Sequence, residues 1–200
     1  MKRLALLCGA MLLFAGIAAA QDDSPKLEAF GGYSYLRAND GGFGYNFNGG
    51  SGSLAYNLTP MFGVVGDFGG YHWSGSGNFA GENATVVTYL FGPKLAFRRG
   101  PITPFAQVLF GGAHISASGP SGCGTDSRVR SQQSVGSGCS GSENGFAMTF
   151  GGGVDWNATS HIGVRLIQAE YLLTRFAGSG TNGSDTENNA RISAGVVFRW

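Results

Sequence analysis

His114 and Ser116 stand two residues apart in the run GGAHISAS. Residues two apart share one face of a strand, so an imidazole beside a hydroxyl is half of a nucleophilic arrangement, with His114 as base and Ser116 as nucleophile. The missing part is an acid to orient the imidazole. Asp126 or Glu143 would have to supply it from a long polar segment, so the pair reads as a polar rim where a strand leaves its layer. His72, with Asp67 on the same strand, and His114 invite the thought of a metal site, but two or three scattered ligands fall short of a four-ligand set. Cys123 and Cys139 have no CxxC partner and no neighbouring His, which disfavours zinc. No metal and no cofactor are expected, and no catalytic residue is assigned.

Charge excludes another class. The chain has 13 Lys and Arg against 12 Asp and Glu. Without Lys2 and Arg3, 11 basic residues remain against the same 12 acidic ones. That balance offers no electrostatic footprint for nucleic acid. Glycine strings such as GGFG at 41–44 precede no helical pattern and make poor phosphate cradles. The sequons at Asn57, Asn83, Asn157 and Asn182 matter only in a eukaryotic secretory protein.

The elements that must position these residues begin after residue 20. Lys2 and Arg3, an apolar run from Leu4 to Ile17, and Ala18–Ala20 before Gln21 make a signal-peptide pattern. The run is shorter than the roughly 20 residues of a spanning helix. Cleavage is expected after Ala20, leaving one domain over residues 21–200. Lipidation at Cys8 is disfavoured by the bulky Leu7 and by the early position of the cysteine. Export implies oxidising conditions, so Cys123 and Cys139 are expected to form a disulfide. The closed loop of about 17 residues would add roughly 3 kcal/mol in the chain-entropy view.

In the mature region, 36 glycines over the whole chain, 15 phenylalanines and only 12% charged residues are unusual for a soluble globule. The closing run RISAGVVFRW shows the pattern best. Ile192, Ala194, Val196, Phe198 and Trp200 alternate with Arg191, Ser193, Gly195, Val197 and Arg199. An apolar face opposite an arginine-bearing face suits a strand between lipid and the inside of a closed barrel. Eight such strands are expected, near 26–38, 49–58, 62–73, 85–97, 103–115, 145–156, 162–174 and 190–200. Their connections alternate between long Gly-rich polar stretches and tight turns holding Pro60, Gly100 and Pro101, or residues 157–161. Four long and three short connections put both ends of the barrel domain on the short-turn side. The fold class is therefore an all-β, eight-stranded antiparallel up-and-down transmembrane barrel.

Alternation assigns faces. Glu28, Asp67, Lys94, Asp155, Arg165, Arg191 and Arg199 fall on inward faces, with Glu170 a further candidate, and both signs are present. Such charges persist in a narrow lumen only when paired, so a structural ion-pair network is expected. Arg165 lies out of phase with Gln168 and Glu170, which a bulge or a rim position would reconcile. Trp73, Trp156 and Trp200 sit at strand ends and are expected in an interfacial aromatic belt, joined by Phe62 and Phe105 on the turn side and Tyr35, Tyr71 and Tyr171 on the loop side.

With this pattern the chain resembles the OmpA-like outer-membrane β-barrel family over residues 21–200. In the closing strand, Ser193, Gly195, Phe198 and Trp200 match the polar, glycine and paired aromatic places of that family's assembly signal, with Trp200 where the family usually ends in Phe. The resemblance implies residence in the outer membrane, contact with its lipid and lipopolysaccharide, and recognition by the barrel-insertion machinery during assembly. It implies a fold and a location more firmly than an activity. A structural or surface-interaction role without enzymatic activity, with four extracellular loops, is the leading expectation. The long third loop, from Ser116 to Asn144, is either a binding surface or a hydrophilic cover. Two other readings stand behind it. The His114–Ser116 pair is similar in placement to that of eight-stranded lipid A deacylases, which would make the chain a hydrolase. A small pore is the other, although eight strands enclose little more than their own side chains.

Overall fold

The computed structural model describes residues 25–40, 43–75, 81–119, 139–176 and 185–200. They form eight strands: β1 (Leu27–Asp40), β2 (Phe43–Asn57), β3 (Phe62–Ser74), β4 (Asn83–Ala96), β5 (Ile102–Gly119), β6 (Cys139–Asn157), β7 (Ile162–Phe176) and β8 (Asp185–Arg199). Every strand pairs antiparallel with its sequence neighbour, and β1 pairs β8 from Glu28↔Arg199 to Arg37↔Ala190, closing the barrel. Closure leaves no unpaired edge.

The period-two pattern fixes which side faces in. Along β4, every second residue from Val86 to Ala96 is buried while the residues between are exposed. The distribution is the reverse of a soluble protein's: Phe68 is 65% exposed and Phe91 63%, whereas Arg191 is 1% exposed. Apolar side chains on the outside and guanidinium groups on the inside suit a wall standing in hydrocarbon.

The strands run further than expected at the long-connection end. β1 and β2 pair as far as Asp40↔Phe43, so most of the stretch NDGGFGYNF is strand rather than loop. β5 continues to Gly119 opposite Cys139, and β8 begins at Asp185. Glycine lowers strand propensity and so reads as loop, yet Tyr45 and Phe47 keep the alternation through it. With 19 residues, β6 is about eight longer than the 9–11 that a tilted strand needs to cross.

β7 carries the one break in phase. Its register against β8 shifts between Arg165 and Gln168, and β6 against β7 shifts between Val154 and Asp155. Leu166 and Ile167 are consecutive outward residues, 55% and 48% exposed. The extra residue is a β-bulge, and it brings Arg165, Gln168 and Glu170 all to the inner face.

Candidate functional site: a charged lumen under an apolar plug

The turn half of the lumen is built on two carboxylates. Glu28, at the start of β1, accepts from Lys94 Nζ of β4 at 2.6 Å and from Arg98 Nη2 at 2.6 Å, with Arg199 Nε 3.6 Å away. Asp155 of β6 takes a two-point contact from Arg165, with Nε at 2.8 Å and Nη2 at 3.2 Å, and a third from Arg199 Nη2 at 3.1 Å. The Arg165 guanidinium lies between the rings of Phe30 and Phe105, 4.3 Å from each centroid. Lys94 approaches the Phe105 ring at 4.8 Å. Cation–π contacts of this kind stabilise desolvated cations. Gly153 makes room for Phe105, since a Cβ there would stand 2.8 Å from the ring.

Gln168 carries the network upward, accepting from Arg165 Nη1 at 2.6 Å and donating to Glu170 Oε2 at 2.7 Å. Glu170 also accepts from Gln107 at 2.8 Å and from Arg191 Nε at 2.7 Å. Arg191 reaches on to Asp67 Oδ1 at 2.6 Å and to the Tyr71 hydroxyl at 3.3 Å. Gly69 leaves the space Tyr71 occupies, for a Cβ there would lie 2.7 Å from its ring. Arg191 on β8 meets Asp67 on β3, and Lys94 on β4 meets Glu28 on β1. Each pair is three strands apart around the wall, so these bridges cross the lumen rather than follow it.

Above the charges the interior turns apolar. Leu36, Phe47, Val86, Ala113, Ala147 and Leu172 are buried together, and Trp73 and Tyr45 pack against them. Tyr45 meets Trp73 edge to face at 5.3 Å. This corrects the aromatic assignment. The sequence puts Trp73 in the lipid-facing belt with Tyr71 and Phe105, whereas Trp73 packs against the interior and Tyr71 and Phe105 are buried. All three share parity with the inward residues of their own strands, a stronger signal than position at a strand end. Trp156 and Trp200 do face outward, 47% and 61% exposed.

The seven charges assigned inward are all buried, as is Glu170. Sequence reasoning missed Arg98, which lies just past the end of β4 where alternation gives no face. It also missed Gln107, although its place between Phe105 and Leu109 on alternate positions marks it as inward. In the closing strand, Ser193 Oγ lies 2.7 Å from Ser34 Oγ, a Cβ at Gly195 would collide with the Gly31 carbonyl, and Phe198 and Trp200 stack outward with centroids 6.4 Å apart.

His114 Nδ1 sits 2.9 Å from Asn144 Oδ1, an amide rather than an acid. His72 is held by Thr85 at 3.2 Å and Ser74 at 3.0 Å. Among the described residues no three His, Cys, Asp or Glu side chains come together. Cys123, Asp126 and most of the third loop lie outside the described residues, and of Cys139 only the backbone is described.

Against known proteins, residues 5–199 match the family described as Outer membrane protein beta-barrel domain. The fold is similar to that of Ail, the attachment invasion locus protein of Yersinia pestis, with a TM-score of 0.59 at 15% identity, covering 88% of this chain and 99% of that one. Neisserial surface protein A gives a TM-score of 0.57 at 13% identity over 90% of this chain and all of that one. Among curated proteins, none matches.

Proposed function

The chain belongs to the outer-membrane β-barrel family and so has its place in that membrane, in contact with lipid; from this premise we propose that it is a non-enzymatic barrel whose work is structural or surface-directed, done by the connections that its long hairpins carry outward. The observation that carries the reading is the doubly closed interior. Ion pairs cross the turn half and Trp73, Tyr45 and Phe47 pack the other, which leaves no open path for solute passage, and His114 meets the amide of Asn144 rather than an acid. Four extracellular connections follow from eight strands with the tight turns in the periplasm.

The assembly signal at Ser193, Gly195, Phe198 and Trp200, the cleavage after Ala20, the Cys123–Cys139 disulfide and contact with lipopolysaccharide belong to the same proposal. One experiment on the purified, folded protein tests its core: lipid A acyl content measured with and without the protein, alongside single-channel recording. An unchanged acyl profile and a silent bilayer are expected. Loss of an acyl chain that Ser116→Ala abolishes would establish the hydrolase reading, and stable unitary steps would establish the pore.

A further inference from the structure

The turn end of the barrel holds a cavity of about 670 Å³, bordered by the connections at 58–61, 97–101 and 158–161. Arg98, Arg99 and Arg199 line it, with Asn157, Thr159 and Ser160 as neutral polar neighbours and no carboxylate among the lining residues. Beneath it the charges do not balance. Four cations, Lys94, Arg98, Arg165 and Arg199, share two carboxylates, Glu28 and Asp155. The rings of Phe30 and Phe105 partly offset the surplus at Arg165. At the cavity, Arg98 Nη1 donates to the Pro60 carbonyl and Arg199 Nη1 to Asn157 Oδ1, while Arg98 Nε has no hydrogen-bond partner and Arg99 is exposed and makes no side-chain ion pair or hydrogen bond with the described residues.

We propose that this cavity is a binding site for a phosphate-type oxyanion, held by the guanidinium groups of Arg98, Arg99 and Arg199. The surplus at the turn end, which falls to one positive charge over the whole lumen once Arg191, Asp67 and Glu170 are counted, favours an anion beside the exposed Arg99. Guanidinium forks match the oxygens of a phosphate two at a time, which a point cation does not. The hydroxyls of Thr159 and Ser160 add neutral donors at the rim. The group is supplied either by a soluble phosphate compound on the turn side or by a phospholipid headgroup next to the turns.

The test uses the folded, full barrel in dodecyl maltoside. Inorganic pyrophosphate is titrated calorimetrically at constant ionic strength, and in a second arm phosphatidylglycerol is compared with phosphatidylcholine. Saturable binding in the first arm identifies a soluble ligand; selective binding of phosphatidylglycerol alone identifies a headgroup; either upholds the site. Arg99→Gln, an exposed position outside the ion-pair network, is expected to weaken binding about tenfold, the worth of one charge-assisted contact. Arg175→Gln, exposed at the opposite end, is expected to leave it unchanged. Absence of binding in both arms, or equal binding by Arg99→Gln, overturns the proposal. So does binding that emerges only after Asp22 and Asp23 are changed to Asn, because the occupant would then be the chain's own acidic segment.

Discussion

Arg191 shows what a single residue does in this interior. It is 1% exposed, yet it bonds Asp67 and Glu170 and so keeps two carboxylates from facing each other unpaired. A buried ion pair adds little net stability over well-packed apolar groups, because desolvation offsets the attraction, but removing one partner strands the other. Arg191→Met is therefore expected to cost about 3–5 kcal/mol, read from urea unfolding of the refolded barrel in lipid vesicles. Adding Asp67→Asn to Arg191→Met should recover part of that loss, since one stranded charge is then gone. A double variant as unstable as the sum of its singles would mean the two residues act independently, contrary to their 2.6 Å contact. Much of this network was legible beforehand, because alternation alone assigns Asp67 and Arg191 to inner faces. Which charge meets which was not. Asp67 and Arg191 are 124 residues apart, and only the closed circuit of strands brings them together.

At the scale of elements, β7 and the hairpin ends mark where period-two reasoning ran out. A bulge adds one residue without any composition signal of its own, so Arg165 conflicts with Gln168 in sequence and agrees with it in the folded wall. Deleting Leu166 alone would remove the bulge and leave Arg165, Gln168 and Glu170 all inward, whereas deleting Leu166 and Ile167 together would set Arg165 next to Gln168 and turn either Arg165 or the Gln168–Glu170 pair toward lipid. An arginine at the bilayer midplane costs roughly 2–4 kcal/mol in a barrel wall, and Asp155 would lose its two-point partner as well. The double deletion is expected to abolish the heat-modifiable folded form on gels, while deletion of Leu166 alone leaves it intact. The hairpin ends failed for a different reason. Glycine and asparagine in residues 43–50 look like loop, but cross-strand pairs such as Tyr33 with Asn48 and Tyr35 with Asn46 accompany the ladder there. At the end of β8, Phe198 and the following Trp200 present their rings outward as a pair. Trp200→Ala is expected to slow barrel assembly several-fold with little change in equilibrium stability, measured as the rate of appearance of the folded band during reconstituted insertion. Equal slowing of unassisted refolding would assign the residue to packing alone.

For the molecule as a whole, the distribution of its three tryptophans turns the inside-out architecture into a measurable statement. Trp156 and Trp200 stand outward at the turn end of the wall, whereas Trp73 is partly buried near the loop end, packed against Phe47 and Tyr45. A closed barrel keeps its lumen separate from lipid, so a quencher carried on acyl chains reaches the first two and not the third. In vesicles of brominated phosphatidylcholine, variants retaining only Trp156 or only Trp200 are expected to lose most of their emission. The variant with Trp156→Phe and Trp200→Phe, which retains Trp73, should be quenched far less and emit to the blue of a water-exposed indole. Position along the wall refines the expectation. Residues beside the turns lie near the headgroups, where indole rings favour the interface, so bromines close to the glycerol should quench Trp156 and Trp200 more than bromines near the chain ends. Strong quenching of Trp73 would mean that the wall is open or the residue everted, and the apolar plug that closes the loop half would have to be abandoned with it.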